Sequence, residues 1–191
     1  MNEVQETRGW AALFWSSVCA IVAIAWRTRR YRVLAAVFGA LIVAPVHAGQ
    51  LSLLINGKAI HLDDSPGVEF NEENWGAGLQ YDFTAENRKW VPFLSASGFK
   101  DSNNNPSYYA GGGTMRRFYV GEKKDSNSLY VGAGVVAFLM VRKGFENGDP
   151  FPGVLPVATI GNERFGLNVS YIPKVDPKMV PIIFFQLRVG L

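Results

Sequence analysis

Residues 98–106 read GFKDSNNNP, which places a carboxylate and a hydroxyl side by side in Asp101 and Ser102. One interpretation is a solvated turn, because Asp, Ser and Asn are typical turn residues. The other is a pair of reactive groups set at the end of a strand. Adjacent side chains on a regular strand point to opposite faces, so the two can share one site only where the strand has ended or bulged. The stretch taken alone leaves both interpretations open.

The segments that would position these residues are strands. After residue 48, clusters of Gly, Asn, Asp, Pro and Lys separate eight segments with strand-like composition. Several alternate between apolar and small or polar residues, which is the period of a β-strand. The predicted strands lie near 51–62, 74–84, 89–99, 107–119, 128–141, 152–161, 164–172 and 180–191.

The outward face of these strands predicts a membrane protein. It carries Trp, Leu, Tyr, Phe and Val, whereas a soluble sandwich or lipocalin-like barrel, the alternative, would present a polar face. A bilayer offers the backbone no hydrogen-bond partners, so a spanning sheet must close on itself. The sequence therefore predicts an all-β fold, an eight-stranded antiparallel up-and-down transmembrane barrel over residues 49–191. A barrel of this size has room for at most one small ligand.

The fifth predicted strand is apolar on both faces. Because only one face can contact lipid, the other predicts an apolar lumen that is wider at the glycines. The same residues would also suit a plainly packed core. The candidate lumen face consists of Gly132, Gly134, Val136, Phe138 and Met140.

Residues 1–48 have the features of a targeting region. Residues 27–32 are basic, 33–43 are apolar over the length of a signal-peptide core, and 45–48 end on small residues, which predicts cleavage after Ala48. The apolar run at 10–26 is either sequence upstream of the true start, the interpretation we favour, or a second hydrophobic element. On this basis the protein is exported.

The charge of the chain lies in its leader. The net charge is +3, but residues 49–191 carry equal numbers of basic and acidic side chains. A nucleic-acid partner is therefore not expected. Cys19, the single cysteine, also precedes residue 48, so the barrel has no cysteine for a disulfide or a metal site.

Four stretches, in order, resemble the PagP-type lipid A palmitoyltransferases of the Gram-negative outer membrane. They are NEENWGAG at 71–78, FKDS at 99–102, PFPGVLPVA at 150–158 and SYIP at 170–173. The resemblance implies an integral outer-membrane enzyme, without metal or cofactor and expected to be a monomer, that moves an acyl chain from a phospholipid to lipid A or a related lipid.

The resemblance also implies roles for particular residues. Asp101 and Ser102 match the family's Asp-Ser, and His61 is the remaining candidate for its histidine once His47 is removed with the leader. Gly113 matches a pocket-floor residue that limits acyl length, where glycine would allow a long chain. Pro156 matches a proline that opens a lateral path for lipid.

These expectations leave questions of mechanism and function open. In acyl transfer His61 would be the base and Asp101 would orient it or favour its imidazolium, while Ser102 would be either nucleophile or positioning group. The family carries an amphipathic helix before its first strand, but here only Gly49 and Gln50 would separate the cleavage site from the first predicted strand. Either the helix is absent or the cleavage site lies elsewhere. The alternative function is a non-catalytic barrel with a structural, lipid-binding or surface-interaction role. The convergence of His61, Asp101 and Ser102 at one mouth of the lumen would separate the two.

Overall fold

A computed structural model describes residues 49–63, 70–83, 90–122, 125–143, 145–174 and 180–191. Within these residues the chain forms eight strands and one short 3-10 turn, Glu146–Gly148. The strands are β1 (Gln50–His61), β2 (Glu73–Asp82), β3 (Trp90–Lys100), β4 (Pro106–Tyr119), β5 (Tyr130–Arg142), β6 (Phe151–Gly161), β7 (Phe165–Ile172) and β8 (Ile182–Gly190).

Each strand pairs antiparallel with its neighbours along the chain, and β8 returns to pair with β1. This closed barrel confirms the predicted fold, and no predicted strand end lies more than two residues from the observed one. The predicted leader and its cleavage after Ala48 lie outside the described residues. In the described part of the chain, no helix is both long enough and apolar enough to cross a membrane.

The outer surface of the barrel is apolar and carries both aliphatic and aromatic side chains. Trp75 is 61% exposed and Phe165 is 59% exposed, and Trp90, Val135 and Ile160 also stand open on this face. Such a surface is unfavourable in water and suited to hydrocarbon. The inward-facing side of the same strands holds most of the polar residues, so the alternation read from the sequence separates lipid from lumen.

A bulge in β1 decides which way His61 points. Ser52, Leu54 and Asn56 are buried in the lumen at a spacing of two, but the next buried residue is Ala59. The pairing of β1 with β8 shifts register between Asn56 and Ala59. An extra residue in a strand reverses the face of every residue beyond it. His61 therefore faces the lumen, whereas an unbulged strand would have turned it to the lipid.

A charged layer fills the lumen at the end where β1 begins and β8 ends. The Arg117 guanidinium pairs with the Asp82 carboxylate and lies 4.6 Å from the centre of the Tyr130 ring. Arg188 donates to the Tyr130 hydroxyl and to the backbone oxygen of Asn162. Asp82, Tyr130 and Arg188 are almost completely buried. The interior at this end is therefore ionic and not apolar, and removing one member of such a buried pair is strongly destabilising.

The barrel wall is incomplete between β6 and β7. Their pairing runs from Gly161, opposite Gly166, up to Val157, opposite Ser170. Farther from the charged layer, β6 continues to Phe151 and pairs with β5 alone, while the end of β7 pairs with β8 alone. The ladder thus stops directly below Pro156.

Candidate active site

The histidine and serine proposed from the sequence meet at the mouth of the lumen. His61 Nε2 lies 3.0 Å from Ser102 Oγ, although 41 residues separate them. The imidazole stacks on the Phe70 ring, with centroids 4.3 Å apart and planes 12° from parallel. The His61 side chain is 6% exposed and Ser102 is 8% exposed. The pair is therefore held in a defined geometry and largely screened from water.

A tight turn carries Ser102, and the Asp101 side chain accepts hydrogen bonds from the backbone of this turn. Strand β3 ends at Lys100, so the residues that follow are free of strand alternation. Asp101 Oδ1 accepts the backbone N–H groups of Asn103 and Asn105, each at 2.9 Å. Asn104 adopts a left-handed conformation with φ of 60°, which asparagine tolerates better than most residues. The asparagines build the turn that presents Ser102 to His61.

Asp101 contacts Arg142 and not the histidine. Its Oδ2 lies 2.7 Å from Arg142 Nε and 3.3 Å from Ser107 Oγ. With the two backbone donors, the carboxylate has a full set of partners while being only 3% exposed. The structure thus brings Asp101 into the site, but it does not show the expected contact through which Asp101 would orient His61.

The segment before β2 and the beginning of β2 hold this turn in place. Asn71 donates its backbone N–H to the Ser102 carbonyl at 2.8 Å and its side chain to the Asp101 carbonyl at 3.2 Å. Asn74 donates to the Lys100 carbonyl at 2.7 Å. These bonds give a physical reason for asparagines at 71 and 74 in the NEENWGAG stretch, which the sequence alone did not supply.

The carboxylate of Glu72 lies beside the His61 imidazole. Its Oε1 lies 4.0 Å from His61 Nδ1, and this nitrogen has no hydrogen-bond partner among the described residues. Glu72 also pairs with Lys58 Nζ at 3.4 Å. Sequence analysis did not select Glu72 because a charged residue beside a turn is usually solvated. Its position becomes informative only once β1 and β2 are paired.

Below this mouth lies a cavity of about 470 Å³. One wall is apolar and includes Phe93, Met115, Val157 and, as predicted for the lumen face of β5, three of its side chains: Val136, Phe138 and Met140. Polar side chains also line the cavity, among them Gln186, which donates to Asn56 at 2.6 Å and to the Tyr109 hydroxyl at 2.9 Å. Asp101, Ser102 and Arg142 line the open end.

Four other proposed binding residues do not line this cavity. Gly113, Gly132 and Gly134 belong to the inward face, but neighbouring atoms occupy the space above them, those of side chains at Gly132, of backbone at Gly134 and of both at Gly113. The predicted extra room at the glycines is therefore absent from this part of the lumen. Pro156 is opposite the exposed Val135 on the outward face, at the top of the β6–β7 ladder. Its place fits an effect on strand pairing and not contact with a molecule in the cavity.

The fold and the site together define a class of protein: an integral outer-membrane barrel with a histidine–serine pair at the mouth of an apolar internal cavity. A family model described as "Antimicrobial peptide resistance and lipid A acylation protein PagP" matches residues 57–188. The chain belongs to this family, as the four sequence stretches indicated. It is accordingly an integral protein of the outer membrane of a Gram-negative bacterium.

Curated relatives carry a name of the same kind. "Lipid A acyltransferase PagP" of Methylobacillus flagellatus is 32% identical over 122 residues, covering 63% of this chain and 62% of that protein. The protein of the same name from Bordetella pertussis is 33% identical over 104 residues, covering 54% of each chain. The chain thus spans little more than half of the length of these relatives.

Solved structures of similar shape include Ail, the attachment invasion locus protein of Yersinia pestis. It has a TM-score of 0.41 and 17% identity, and the match covers 74% of this chain and 95% of that chain. Neisserial surface protein A has a TM-score of 0.38 and 15% identity, with 75% and 96% covered.

Proposed function

We propose that this protein is an acyltransferase that moves a fatty acyl chain from a phospholipid to lipid A or a related lipid, acting as a monomer. The observation that supports it most is the 3.0 Å contact of His61 Nε2 with Ser102 Oγ at the open end of an apolar cavity. The acyl chain would lie in the cavity, where each buried methylene is worth about 0.8 kcal/mol. Its ester would then lie at the mouth, within reach of both side chains.

The histidine and serine can carry out transfer in two steps. His61 Nε2 takes the Ser102 proton as Ser102 Oγ attacks the ester carbonyl carbon, and the bond from that carbon to the glycerol oxygen breaks. The imidazolium returns its proton to the leaving oxygen, which gives a lysophospholipid and an acyl-serine. A lipid A hydroxyl then attacks the acyl-serine with His61 again as base, and the serine hydroxyl is restored.

A second route uses the same residues without a covalent intermediate. His61 would take the proton directly from the lipid A hydroxyl as that oxygen attacks the carbonyl carbon of the phospholipid ester. The bond from that carbon to the glycerol oxygen would break, the imidazolium would return the proton to this oxygen to release a lysophospholipid, and Ser102 would position the imidazole. The routes differ in whether an acyl group ever resides on Ser102. Both depend on His61 as the base, so this residue is the proper test of the activity.

Arg142 is suited to hold the head group of the donor. It is positioned by Asp101, it lines the mouth of the cavity, and its side chain is 24% exposed, so it can also meet a ligand. A guanidinium presents several donors in a fixed plane, a geometry that fits phosphate oxygens. Arg142 would thereby place the phospholipid phosphate beside the reacting ester.

The gap between β6 and β7 offers the donor a route from the membrane. The cavity lining includes Leu155 on β6 and Ile172 on β7, which border the unpaired stretch. Proline cannot donate a ladder hydrogen bond, so Pro156 weakens pairing where the ladder stops. A phospholipid chain would slide sideways through this opening without crossing the aqueous mouth.

Mass spectrometry of lipid A tests the proposal. We expect cells that express the wild-type protein to contain lipid A with one additional acyl chain, and cells that express His61→Ala to lack it. Phe118→Ala, which changes an outward-facing residue on β4, serves as the control and should retain the product. Folded protein in the outer membrane must be present at equal amounts in all three strains.

The opposite outcome would favour the non-catalytic alternative. If neither the wild type nor the control adds an acyl chain to lipid A or to another membrane lipid, the cavity serves binding or structure only. If His61→Ala adds the chain as efficiently as the wild type, the histidine is not the base and the proposed mechanism is wrong.

A further inference from the structure

We propose that Glu72 holds the proton of the neutral His61 imidazole on Nδ1 and so leaves Nε2 free to act as the base. The inference rests on the proposed function, because it takes His61 to be the group that accepts a proton. Glu72 acts through the histidine and touches neither lipid, so it is a positioning residue. It fills the orienting role that the family resemblance implied for Asp101.

Both routes of transfer require one particular tautomer of His61. A neutral imidazole carries one proton, so only one of its two nitrogens can accept another. The nitrogen that faces the reacting groups is Nε2, which lies 3.0 Å from Ser102 Oγ. It must be unprotonated whether it takes the proton of Ser102 or that of the lipid A hydroxyl. Which nitrogen is protonated depends on the partner of the other, so the partner of Nδ1 decides whether His61 can be a base.

The surroundings of Nδ1 point to Glu72 as that partner. Nδ1 is buried and has no hydrogen-bond partner among the described residues, and a buried polar atom without a partner is unfavourable. Of the carboxylates that the structure describes, the one that approaches this nitrogen belongs to Glu72, with 4.0 Å between Oε1 and Nδ1. An ionised carboxylate accepts hydrogen bonds and cannot donate them, so it pairs with a protonated Nδ1 and not with a bare one.

Asp101 cannot take this role in the observed arrangement. Its Oδ1 accepts two backbone N–H groups of the turn, and its Oδ2 accepts from Arg142 and Ser107. Glu72 has only a weak competing partner in Lys58, 3.4 Å away, because the side chains of this pair are 41% and 61% exposed. The Glu72 carboxylate can therefore leave Lys58 and turn toward the imidazole at little cost.

The chain on either side of Glu72 fixes the ring and the carboxylate relative to each other. The Phe70 ring stacks on the imidazole at 4.3 Å, which restricts rotation of the ring. The Glu72 carbonyl accepts the Ala59 N–H at 2.8 Å, so its backbone is tied to β1 two residues before the histidine. The distance of 4.0 Å is about 1 Å longer than an N–H···O hydrogen bond. Such bonds are often long in a free enzyme and tighten when the substrate is bound.

Loss of the Glu72 charge should lower kcat and leave KM unchanged. Glu72→Gln keeps the size of the side chain, but its amide can donate as well as accept, so it no longer selects one tautomer. We expect kcat to fall about tenfold, less than the ~10²-fold or more that follows loss of the base itself. The KM for a labelled phospholipid should not change, because Glu72 does not line the cavity. Glu73→Gln, which removes the same charge from the exposed next residue, is the matched control and should retain both constants.

¹⁵N NMR measures the tautomer without catalysis. The sequence contains two histidines, His47 and His61, so protein labelled with ¹⁵N-histidine gives at most two imidazole signals, and His61→Ala identifies the one in the site. Spectra of protein purified from the outer membrane are recorded at about pH 9, where histidine side chains are ordinarily neutral. We expect the wild type and Glu73→Gln to carry the proton on Nδ1. In Glu72→Gln and Glu72→Ala the proton should be found largely or partly on Nε2.

The two measurements together decide the inference. A proton that stays on Nδ1 in both Glu72 variants overturns it, as does an equal change in Glu73→Gln. A proton that moves to Nε2 without any loss of kcat also overturns it. If the tautomer depends on Glu72 in a protein that transfers no acyl chain, the positioning by Glu72 is supported and the proposed function is wrong. If the wild type transfers the chain and the tautomer is independent of Glu72, the proposed function is retained and the inference fails.

Discussion

Asp101 forms an ion pair with Arg142, with 2.7 Å between Oδ2 and Nε, while the neighbouring Ser102 contacts His61. Two adjacent residues at the end of β3 therefore serve different partners. The carboxylate stabilises the turn and holds Arg142 at the mouth, and the hydroxyl meets the imidazole. Asp101 is best described as a positioning residue.

Loss of the Asp101 charge should act through Arg142. In Asp101→Asn the ion pair is lost, while the amide oxygen can still accept the backbone N–H groups of the turn. We therefore expect the transfer rate to fall and the barrel to lose about 1–3 kcal/mol of stability through Arg142. A double-mutant cycle with Arg142→Gln measures the coupling in both rate and unfolding free energy. We expect Asp101→Asn to have little further effect once Arg142 is already changed.

If Asp101 acts on His61 directly, the cycle will give a different result. Asp101→Asn would then lower the rate by the same factor in the wild-type and the Arg142→Gln backgrounds. Ser107→Ala, which removes only the weaker 3.3 Å bond to the same carboxylate, is the matched control and should have a small effect on both quantities.

His61 and Ser102 should behave as one catalytic unit. We expect His61→Ala and Ser102→Ala each to lower the rate of acyl transfer by about 10²-fold or more, with the folded barrel retained. Because neither side chain can act without the other, the double variant should be no slower than the slower single variant. Rates are measured with purified protein and a labelled phospholipid donor. Multiplicative losses would show that the two side chains act independently.

The route of transfer can be read from the intact mass of the protein. If Ser102 is the nucleophile, acid quenching during turnover should trap an acyl group on the wild type and none on Ser102→Ala. If Ser102 only positions His61, no acylated protein should be found even when product forms quickly. The 3.0 Å contact suits both roles, so this measurement decides between them.

The sequence was sufficient to predict the barrel because lipid and lumen impose opposite demands on alternate residues. Trp75 and Phe165 mark the lipid face by their types alone, and the turns between strands are rich in glycine and asparagine. No such signal exists for the direction of His61. The bulge that turns it inward lies between Asn56 and Ala59 and becomes visible only in the pairing of β1 with its two neighbours, β2 and β8.

The contacts between residues of the site could not be predicted from the sequence either. Arg142 follows Asp101 by 41 residues, and the two meet because β4 and β5 fold back on each other. The depth of the cavity was missed for a related reason. A glycine in a strand pattern predicts space, but whether a neighbour such as Phe93 fills that space depends on cross-strand pairing.

The Asp82–Arg117 ion pair in the charged layer should contribute strongly to the stability of the barrel. Asp82→Asn leaves the buried Arg117 without its counter-charge, and we expect a loss of about 3–5 kcal/mol in unfolding free energy. Replacing both, as Asp82→Asn with Arg117→Met, should recover much of that loss. Urea unfolding in detergent micelles measures both. Equal destabilisation by the single and double variants would contradict the account.

The opening between β6 and β7 should control access of the donor. Because the register above Val157 would place Leu155 opposite Ile172, a disulfide between cysteines at these positions would close the gap. Residues 49–191 contain no cysteine, so the introduced pair has no other thiol in the barrel with which to form a disulfide. We expect oxidation, verified by gel mobility, to lower the rate of acyl transfer and reduction to restore it.

Cysteines at Ile160 and Leu167, which are already paired in the intact part of the same ladder, provide the control and should leave the rate unchanged on oxidation. An oxidised Leu155–Ile172 barrel that transfers acyl chains at the reduced rate would show that the donor enters by another path.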